Sequence, residues 1–404
     1  MKVFLVGGAV RDQLLELPIT EKDWVVVGET PQTLLKLGFS QVGKDFPVFL
    51  HPDTKDEYAL ARTERKSGQG YSGFICDFND QITLEQDLLR RDLTVNAIAM
   101  DPCGNLIDPY GGIDDLNNRL LRHVSPAFQE DPLRVLRVAR FAARFHHLGF
   151  TIALDTMALM KHIVSIGEIN YLTAERVWQE TEKALATQNP QVYFEVLKEC
   201  GALAILVPEL NDLFCIAQPT NRCLGTHTLR ALKQSAKLTD NLTVRFAVLC
   251  HDFGNTVAQS KDWLHIDDFA EKSISLINTL CTRLKIPNQY KKLACLVCRY
   301  YNDVHYVTDI PAQKLIALFD GIDVWRNPIY LDHLILSSLA DFKARKGFEN
   351  KPYPQAEYLK QAYFVAKSVA VQDIINAGFK GQAIRLKLEN LREKALIDWK
   401  STNF

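Results

Sequence analysis

Two acidic side chains, Glu21 and Asp23, stand two residues apart at the start of the apolar run 24–27. In an extended strand, residues i and i+2 project from one face. Carboxylates so placed form a natural site for Mg²⁺, which takes oxygen ligands and leaves room for substrate phosphates. The alternative is an exposed charged turn entering a strand. Glu57, ahead of a second apolar run, offers a third carboxylate or a solvated strand end. Gly7-Gly8-Ala9-Val10-Arg11-Asp12 closes another apolar run and opens a helical pattern. Adjacent glycines let a phosphate approach the backbone, the helix start offers N–H groups, and Arg11 lies one turn in. A plain turn is the alternative.

Two basic segments add to this. In Arg90-Arg91-Asp92-Leu93-Thr94-Val95-Asn96-Ala97, adjacent arginines enter an apolar stretch. Planar guanidinium groups suit triphosphate oxygens, and Asp92 and Asn96, four apart, face each other if the segment is helical. A surface salt-bridge cluster is the other reading. In Glu130-Asp131-Pro132 followed by 133–144, Arg134, Arg137, Arg140 and Arg144 are spaced three, three and four, with Leu133, Leu136 and Phe141 turned elsewhere. Four arginines on one stripe without an intervening acid favour an anionic ligand over a solvated face.

The elements that must position these residues divide the chain. The first part reads as mixed α/β, with strands expected at 3–6, 24–27, 48–50 and 58–61 and short helices at 9–15 and 31–37. Strand signals fade after about 109–112, and from Glu130 the pattern is helical almost to the end. Breaks are expected at 108–115, near 214–225 and at 349–354. With 404 residues, 47 % hydrophobic and 24 % charged, the composition excludes disordered, collagen-like and coiled-coil chains. No apolar run approaches the ~18–20 residues of a membrane span. No signal peptide is read at the N-terminus. Nine scattered cysteines suggest reduced thiols and a cytoplasmic location. A net charge of −1 means that any nucleic-acid surface must be a local basic patch.

These motifs, in this order, together with EYALARTERKSG at 57–68 and NRLLRHVSPAF at 118–128, resemble the bacterial tRNA nucleotidyltransferases that add CCA to tRNA 3′ ends, in the form with an additional HD phosphohydrolase domain. The resemblance spans essentially the whole chain and is densest over 1–210. It implies an α+β fold: a polymerase-β-like nucleotidyltransferase head at 1–122, a helical neck and body at 123–224, an HD domain at 225–326 and a helical tail at 327–404. It implies that Glu21 and Asp23 hold Mg²⁺, with Glu57 as the third catalytic carboxylate, for attack of the tRNA 3′-hydroxyl on the α-phosphate of CTP or ATP. Gly8, Arg11, Arg91, Arg137 and Arg140 would bind the nucleotide, and Asp131 and Arg134 would read the base. Cytosine and adenine both present an amino donor beside a ring acceptor, which suits a carboxylate and a guanidinium. Uracil and guanine reverse both. The family usually has Asp where this chain has Glu21. A monomer or homodimer is expected, with tRNA, CTP and ATP as partners and no membrane.

His227, His251-Asp252 and Asp341 follow the H…HD…D order of HD phosphohydrolases, implying a second divalent transition metal such as Ni²⁺. Asn255 stands where relatives often have Lys, and the stretch 263–268 holds only His265 where they tend to have a His cluster. Cys295 and Cys298 read as core thiols, because no second pair stands at zinc spacing. Lys380, Arg385, Lys387, Arg392 and Lys394 could contact tRNA phosphates or form a solvated helix face. The competing functions are a poly(A) polymerase or A-adding enzyme, an HD phosphohydrolase with a vestigial head, and a non-catalytic RNA-binding protein.

Overall fold

The computed structural model describes residues 1–19, 21–42, 48–66, 74–77, 79–215, 223–256 and 266–403. His265 and most of the expected break near 214–225 lie outside the described residues. The chain forms two compact units, Met1–Ala184 with Val192–Leu206, and Leu185–Gln191 with Val207–Phe404.

The first unit is built on strands β1 (Lys2–Val6), β2 (Asp23–Val27), β3 (Ser40–Val42), β4 (Val48–Leu50), β5 (Glu57–Leu60), β6 (Thr63–Lys66), β7 (Phe74–Asp77), β8 (Ala99–Met100), β9 (Leu106–Ile107), β10 (Leu120–Leu121) and β11 (Thr151–Ile152). Seven of them make one mixed sheet in the order β3-β4-β5-β2-β1-β8-β9. β1 and β2 run antiparallel, and β2 and β5 run parallel. Consecutive side chains of a strand take opposite faces, and Val25 and Val26 show it. Val25 packs with Val6, Leu84, Leu88 and Ala97 on one side. Val26 packs with Leu34, Phe39, Phe49 and Leu60 on the other.

The helices of this unit are α1 (Gly8–Leu14), α2 (Pro31–Lys36), α3 (Leu84–Leu89), α4 (Gly112–Asn117), α5 (Leu133–Phe145), α6 (Leu154–Ser165), α7 (Ala174–Leu185), α8 (Pro190–Glu199) and α9 (Ala202–Leu206). A full capping box starts α3: the Thr83 hydroxyl accepts from the Gln86 N–H and the Gln86 side chain accepts from the Thr83 N–H. The fold corrects the sequence reading at two points. The segment carrying Asp92 and Asn96 is a 3₁₀ turn at Thr94–Asn96, not an α-helix. Strand pairing also continues past residue 112, in the two-residue parallel ladder of β10 with β11.

The second unit is helical: α10 (Pro208–Asn211), α11 (Leu224–Leu238), α12 (Leu242–Cys250), α13 (Ile266–Arg283), α14 (Asn288–His305), α15 (Ala312–Gly321), α16 (Ile329–Ala344), α17 (Pro354–Lys367), α18 (Val371–Asn376) and α19 (Gln382–Asn403). Small residues let α11, α12 and α16 approach closely through Ala231, Val248, Ala340 and Ala344. Arg245, fully buried, donates to the carbonyls of Thr239, Leu185, Thr187 and Ala236 and to Asp240. A buried guanidinium is tolerated only when its donors are satisfied in this way. Cys103, Cys200, Cys215, Cys223, Cys250, Cys281, Cys295 and Cys298 are free thiols, and among the described residues no helix is long and apolar enough to cross a membrane.

Candidate active site

β-Sheet register brings the carboxylates together. Asp23 begins β2 and pairs with Val6 on one side and Glu57 on the other, so the two acids lie side by side on neighbouring strands. Glu21, Asp23, Asp56 and Glu57 line one cavity of about 430 Å³ with Ile19, Lys22 and Lys55. Burial by the cavity wall raises the Asp23 carboxyl above its usual range, Arg91 opposes the rise, and Glu21 adds to it. Asp23 remains exposed to solvent, which screens the effect. Several oxygen donors on one open wall, already repelling one another, fit a hard divalent cation such as Mg²⁺. Asp56 escaped the sequence reading, and its place beside Glu57 was the signal that could have found it.

The arginines form a lattice above the turn after β1. Gly7 adopts φ +70°, and a Cβ there would lie 2.7 Å from Arg91 Nη1. Arg91 is held by Asp87 Oδ2 at 3.2 Å, and Asp87, wholly buried, also receives Arg90. Arg11 is buried, donates to Asp12 Oδ1 at 2.8 Å and to the Asn96 side chain, and lies under the rings of Phe141 and Phe145. Gly7→Ala is expected to destabilise the protein by about 1–3 kcal/mol, the cost of a strained backbone plus a displaced guanidinium. Gly28 has a similar φ of +77°, but a Cβ there would meet nothing within 4 Å, so Gly28→Ala is expected to cost less. Denaturant midpoints of the two variants check this.

Helix α5 presents its arginines on one face as expected, but each described ion pair is made with an acid from another element. Arg137 Nε donates to Asp92 Oδ2 at 2.7 Å, Arg140 Nε to Glu180 Oε2 at 2.5 Å, and Arg144 to Asp12 Oδ2 at 2.8 Å. Phe141 is not turned elsewhere: the guanidinium groups of Arg11, Arg137 and Arg140 lie 5.1, 5.7 and 4.2 Å from its ring centre. Burial alone would raise the Asp92 carboxyl, yet Arg137 and the Asn96 amide hold it far below the carboxylate range. Asp92 thus stays ionised and fixes Arg137 and Asn96 together.

Asp131 and Arg134 sit at the start of α5. Asp131 Oδ1 accepts from the Leu133 N–H at 3.0 Å and Oδ2 from Arg176 at 2.9 Å. Arg134 is buried and donates to the carbonyls of Ala127 and Arg90. Arg176 and Glu180, one turn apart on α7, therefore hold Asp131 and Arg140. Neither was found in the sequence. Their spacing of four on one helix face was the available signal.

Residues 3–122 match the family model described as the poly A polymerase head domain. Residues 3–122 thus form a head similar to that of the poly A polymerases. Residues 149–214 match the model described as a probable RNA and SrmB-binding site of polymerase A. Among solved structures, the chain resembles a CCA-adding enzyme in complex with ATP at 22 % identity, covering 98 % of this chain and 86 % of that one, with a TM-score of 0.66. A Thermotoga maritima CCA-adding enzyme complexed with tRNA gives 21 %, 98 %, 87 % and 0.64. A Bacillus stearothermophilus CCA-adding enzyme in complex with CTP gives 23 %, 98 %, 89 % and 0.61. These likenesses establish the fold: a mixed-sheet head followed by mostly helical regions.

Apart from this head, the second unit gathers His227 of α11, His251 after α12 and Asp341 of α16, with ligand atoms all within 4.8 Å. Both imidazole Nε2 atoms face Asp341 Oδ1, at 2.6 and 3.3 Å. Asp252 lies beside them, its Oδ2 3.3 Å from His251 Nε2, and Tyr301 and Asn255 donate to its Oδ1. His251 Nδ1 faces the Val248 carbonyl at 2.6 Å, as the outer nitrogen of a metal-ligating imidazole usually does. Imidazole and carboxylate donors converging in this way fit a divalent transition metal. Burial opposes a charged His251, but Asp252 and Asp341 outweigh it and push the imidazole up to about 9. A folded-state value above the ordinary 6.5 contributes stability that is full below 6.5 and lost as pH rises through about 9. Chelator-treated protein is expected to lose thermal stability across that window, and His251→Gln to flatten the dependence. Calorimetry at stepped pH checks both.

Proposed function

We propose that this chain is a CCA-adding tRNA nucleotidyltransferase, building or repairing the tRNA 3′ end from CTP and ATP without a nucleic-acid template and releasing pyrophosphate. The observation that carries the reading is the Asp23–Glu57 register, with Glu21 in the same cavity, beside a lattice of oriented arginines. Glu21 and Asp23 would hold Mg²⁺, which supplies charge neutralisation and a more acidic attacking hydroxyl. Glu57 borders the same cavity and orients the reacting end. Gly8, Arg11, Arg91, Arg137 and Arg140 bind triphosphate and ribose. Asp131 accepts from the amino group of cytosine or adenine, and Arg134 donates to the adjacent ring nitrogen. Relatives with this fold were solved with CTP, ATP and tRNA, which supports the substrate assignment.

The test uses tRNA ending before CCA. CTP alone is expected to add two residues, and CTP with ATP three, each lost on chelation. No extension with CTP but addition from ATP would identify an A-adding enzyme. A long A tract would identify a poly(A) polymerase. Phosphate release without any extension would leave a phosphohydrolase with a vestigial head.

A second activity is read from the convergence of His227, His251 and Asp341: hydrolysis of phosphomonoesters or 2′,3′-cyclic phosphodiesters with a transition metal such as Ni²⁺. Turnover of 2′,3′-cyclic AMP by wild type with Ni²⁺, lost in His227→Ala, is the expected result.

A further inference from the structure

The H…HD…D pattern leaves out a third imidazole. His305, the last residue of α14, has a side chain only 8 % exposed. Its Nε2 lies 2.9 Å from Asp341 Oδ2, yet it has no hydrogen-bond partner. The approach is close in distance but off the direction in which a ring N–H donates. Its other nitrogen, Nδ1, is 2.9 Å from the Tyr353 hydroxyl. A buried, unpartnered ring nitrogen is costly unless something occupies its lone-pair direction.

We propose that His305 is a further ligand of the divalent-cation site, binding through Nε2, with Tyr353 accepting from Nδ1–H to fix the tautomer. The inference rests on reading the cluster as a cation site. Asp341 divides its oxygens: Oδ1 faces His227 and His251, whereas Oδ2 faces His305 and Arg345, the latter at 3.0 Å. A cation seated against both oxygens would meet His227 and His251 on the Oδ1 side and His305 on the Oδ2 side. The pairing of His251 with the Val248 carbonyl and of His305 with Tyr353 gives each ring an outer partner, the arrangement that raises ligand basicity and holds ring orientation. Three nitrogens and a carboxylate select a transition metal over Mg²⁺ or Ca²⁺. Sequence reasoning missed His305 because it stands 36 residues before Asp341, outside the motif order, and only the packing of α14 against α16 brings the two together.

The test is Co²⁺ binding to the full chain after chelation, in an Asp23→Asn background that weakens cation binding at the head carboxylates, followed by visible absorption and by metal stoichiometry. The background protein is expected to bind one Co²⁺ with a d–d spectrum. His305→Ala is expected to bind it about 10–100-fold more weakly and with a changed spectrum. Tyr353→Phe is expected to weaken binding less and to keep the band shape. His305→Gln, which keeps polarity and bulk, controls for packing, and thermal unfolding confirms that each variant is folded. No Co²⁺ on the background protein would overturn the cation-site reading itself. Co²⁺ lost in His227→Ala but held by His305→Ala with unchanged affinity and spectrum would overturn the role of His305 alone.

Discussion

Asp23→Asn is expected to lower the rate of nucleotide incorporation by about a thousandfold or more while leaving CTP binding within a few-fold of wild type. The change keeps the shape of the side chain and removes its charge, and charge is what the site uses. The sheet fixes the position of Asp23 from both sides, between Val6 and Glu57. A metal ion at such a site contributes several kcal/mol to stabilising the charge of the reacting phosphoryl group, and about 4 kcal/mol is roughly a thousandfold. The nucleotide contacts proposed for Arg11, Arg91, Arg137 and Arg140 are untouched, which is why binding should persist. Glu21 precedes the strand and is not held by its register, so the extra methylene relative to Asp has room to be absorbed. Glu21→Asp is accordingly expected to stay active and Glu21→Ala to lose most incorporation. Single-turnover extension of labelled tRNA, with CTP binding measured separately, distinguishes the outcomes. An Asp23→Asn protein that extends tRNA at the wild-type rate would remove the carboxylate pair from the chemistry.

What could be read in advance follows from how local the determinant is. β1, β2, β4 and β5 were legible because each is an apolar run of a few residues bounded by turn-forming or charged residues, and the matched ends differ by one residue or so. β8 to β11 were not, because a two-residue strand shows no period at all. The spacing of the four arginines on α5 was equally legible, since helix geometry alone sets it. Their partners were not. Asp12, Asp92 and Glu180 lie 40 or more residues away in sequence, so the acids that hold these arginines in place could not be read from the stripe. The carboxylates show the same division. The spacing of Glu21 and Asp23 is local in sequence, although the strand begins only at Asp23 and leaves Glu21 ahead of it, whereas the adjacency of Asp23 and Glu57 depends on a parallel pairing across more than thirty residues. In the second unit, His227, His251 and Asp341 could be ordered from sequence but not placed. The side chain that joins them, His305, carries no motif.

Those tertiary pairs make a sharper prediction for base selection. Asp131→Ala is expected to reduce the preference for CTP over UTP, measured as a ratio of kcat/KM, by about 10–100-fold, because an unpaired polar group costs about 1–3 kcal/mol and the discrimination rests on one such mismatch. Arg176→Ala keeps the carboxylate but removes the guanidinium 2.9 Å from its Oδ2, leaving the Leu133 N–H on Oδ1 as the remaining described tether. A carboxylate held at one oxygen can rotate, so this variant is expected to lose selectivity by a smaller factor, and mainly through kcat, because positioning matters most where the reacting atoms must align. Arg176→Lys, with a point charge in place of a planar fork, is expected to recover only part of it. The two losses should not add: once Asp131 is absent, Arg176 has no carboxylate to orient, and the double variant should select no worse than Asp131→Ala. Additive losses would mean that Arg176 acts on the nucleotide by a route of its own. An unchanged CTP to UTP ratio in Asp131→Ala would take base reading away from the start of α5 altogether.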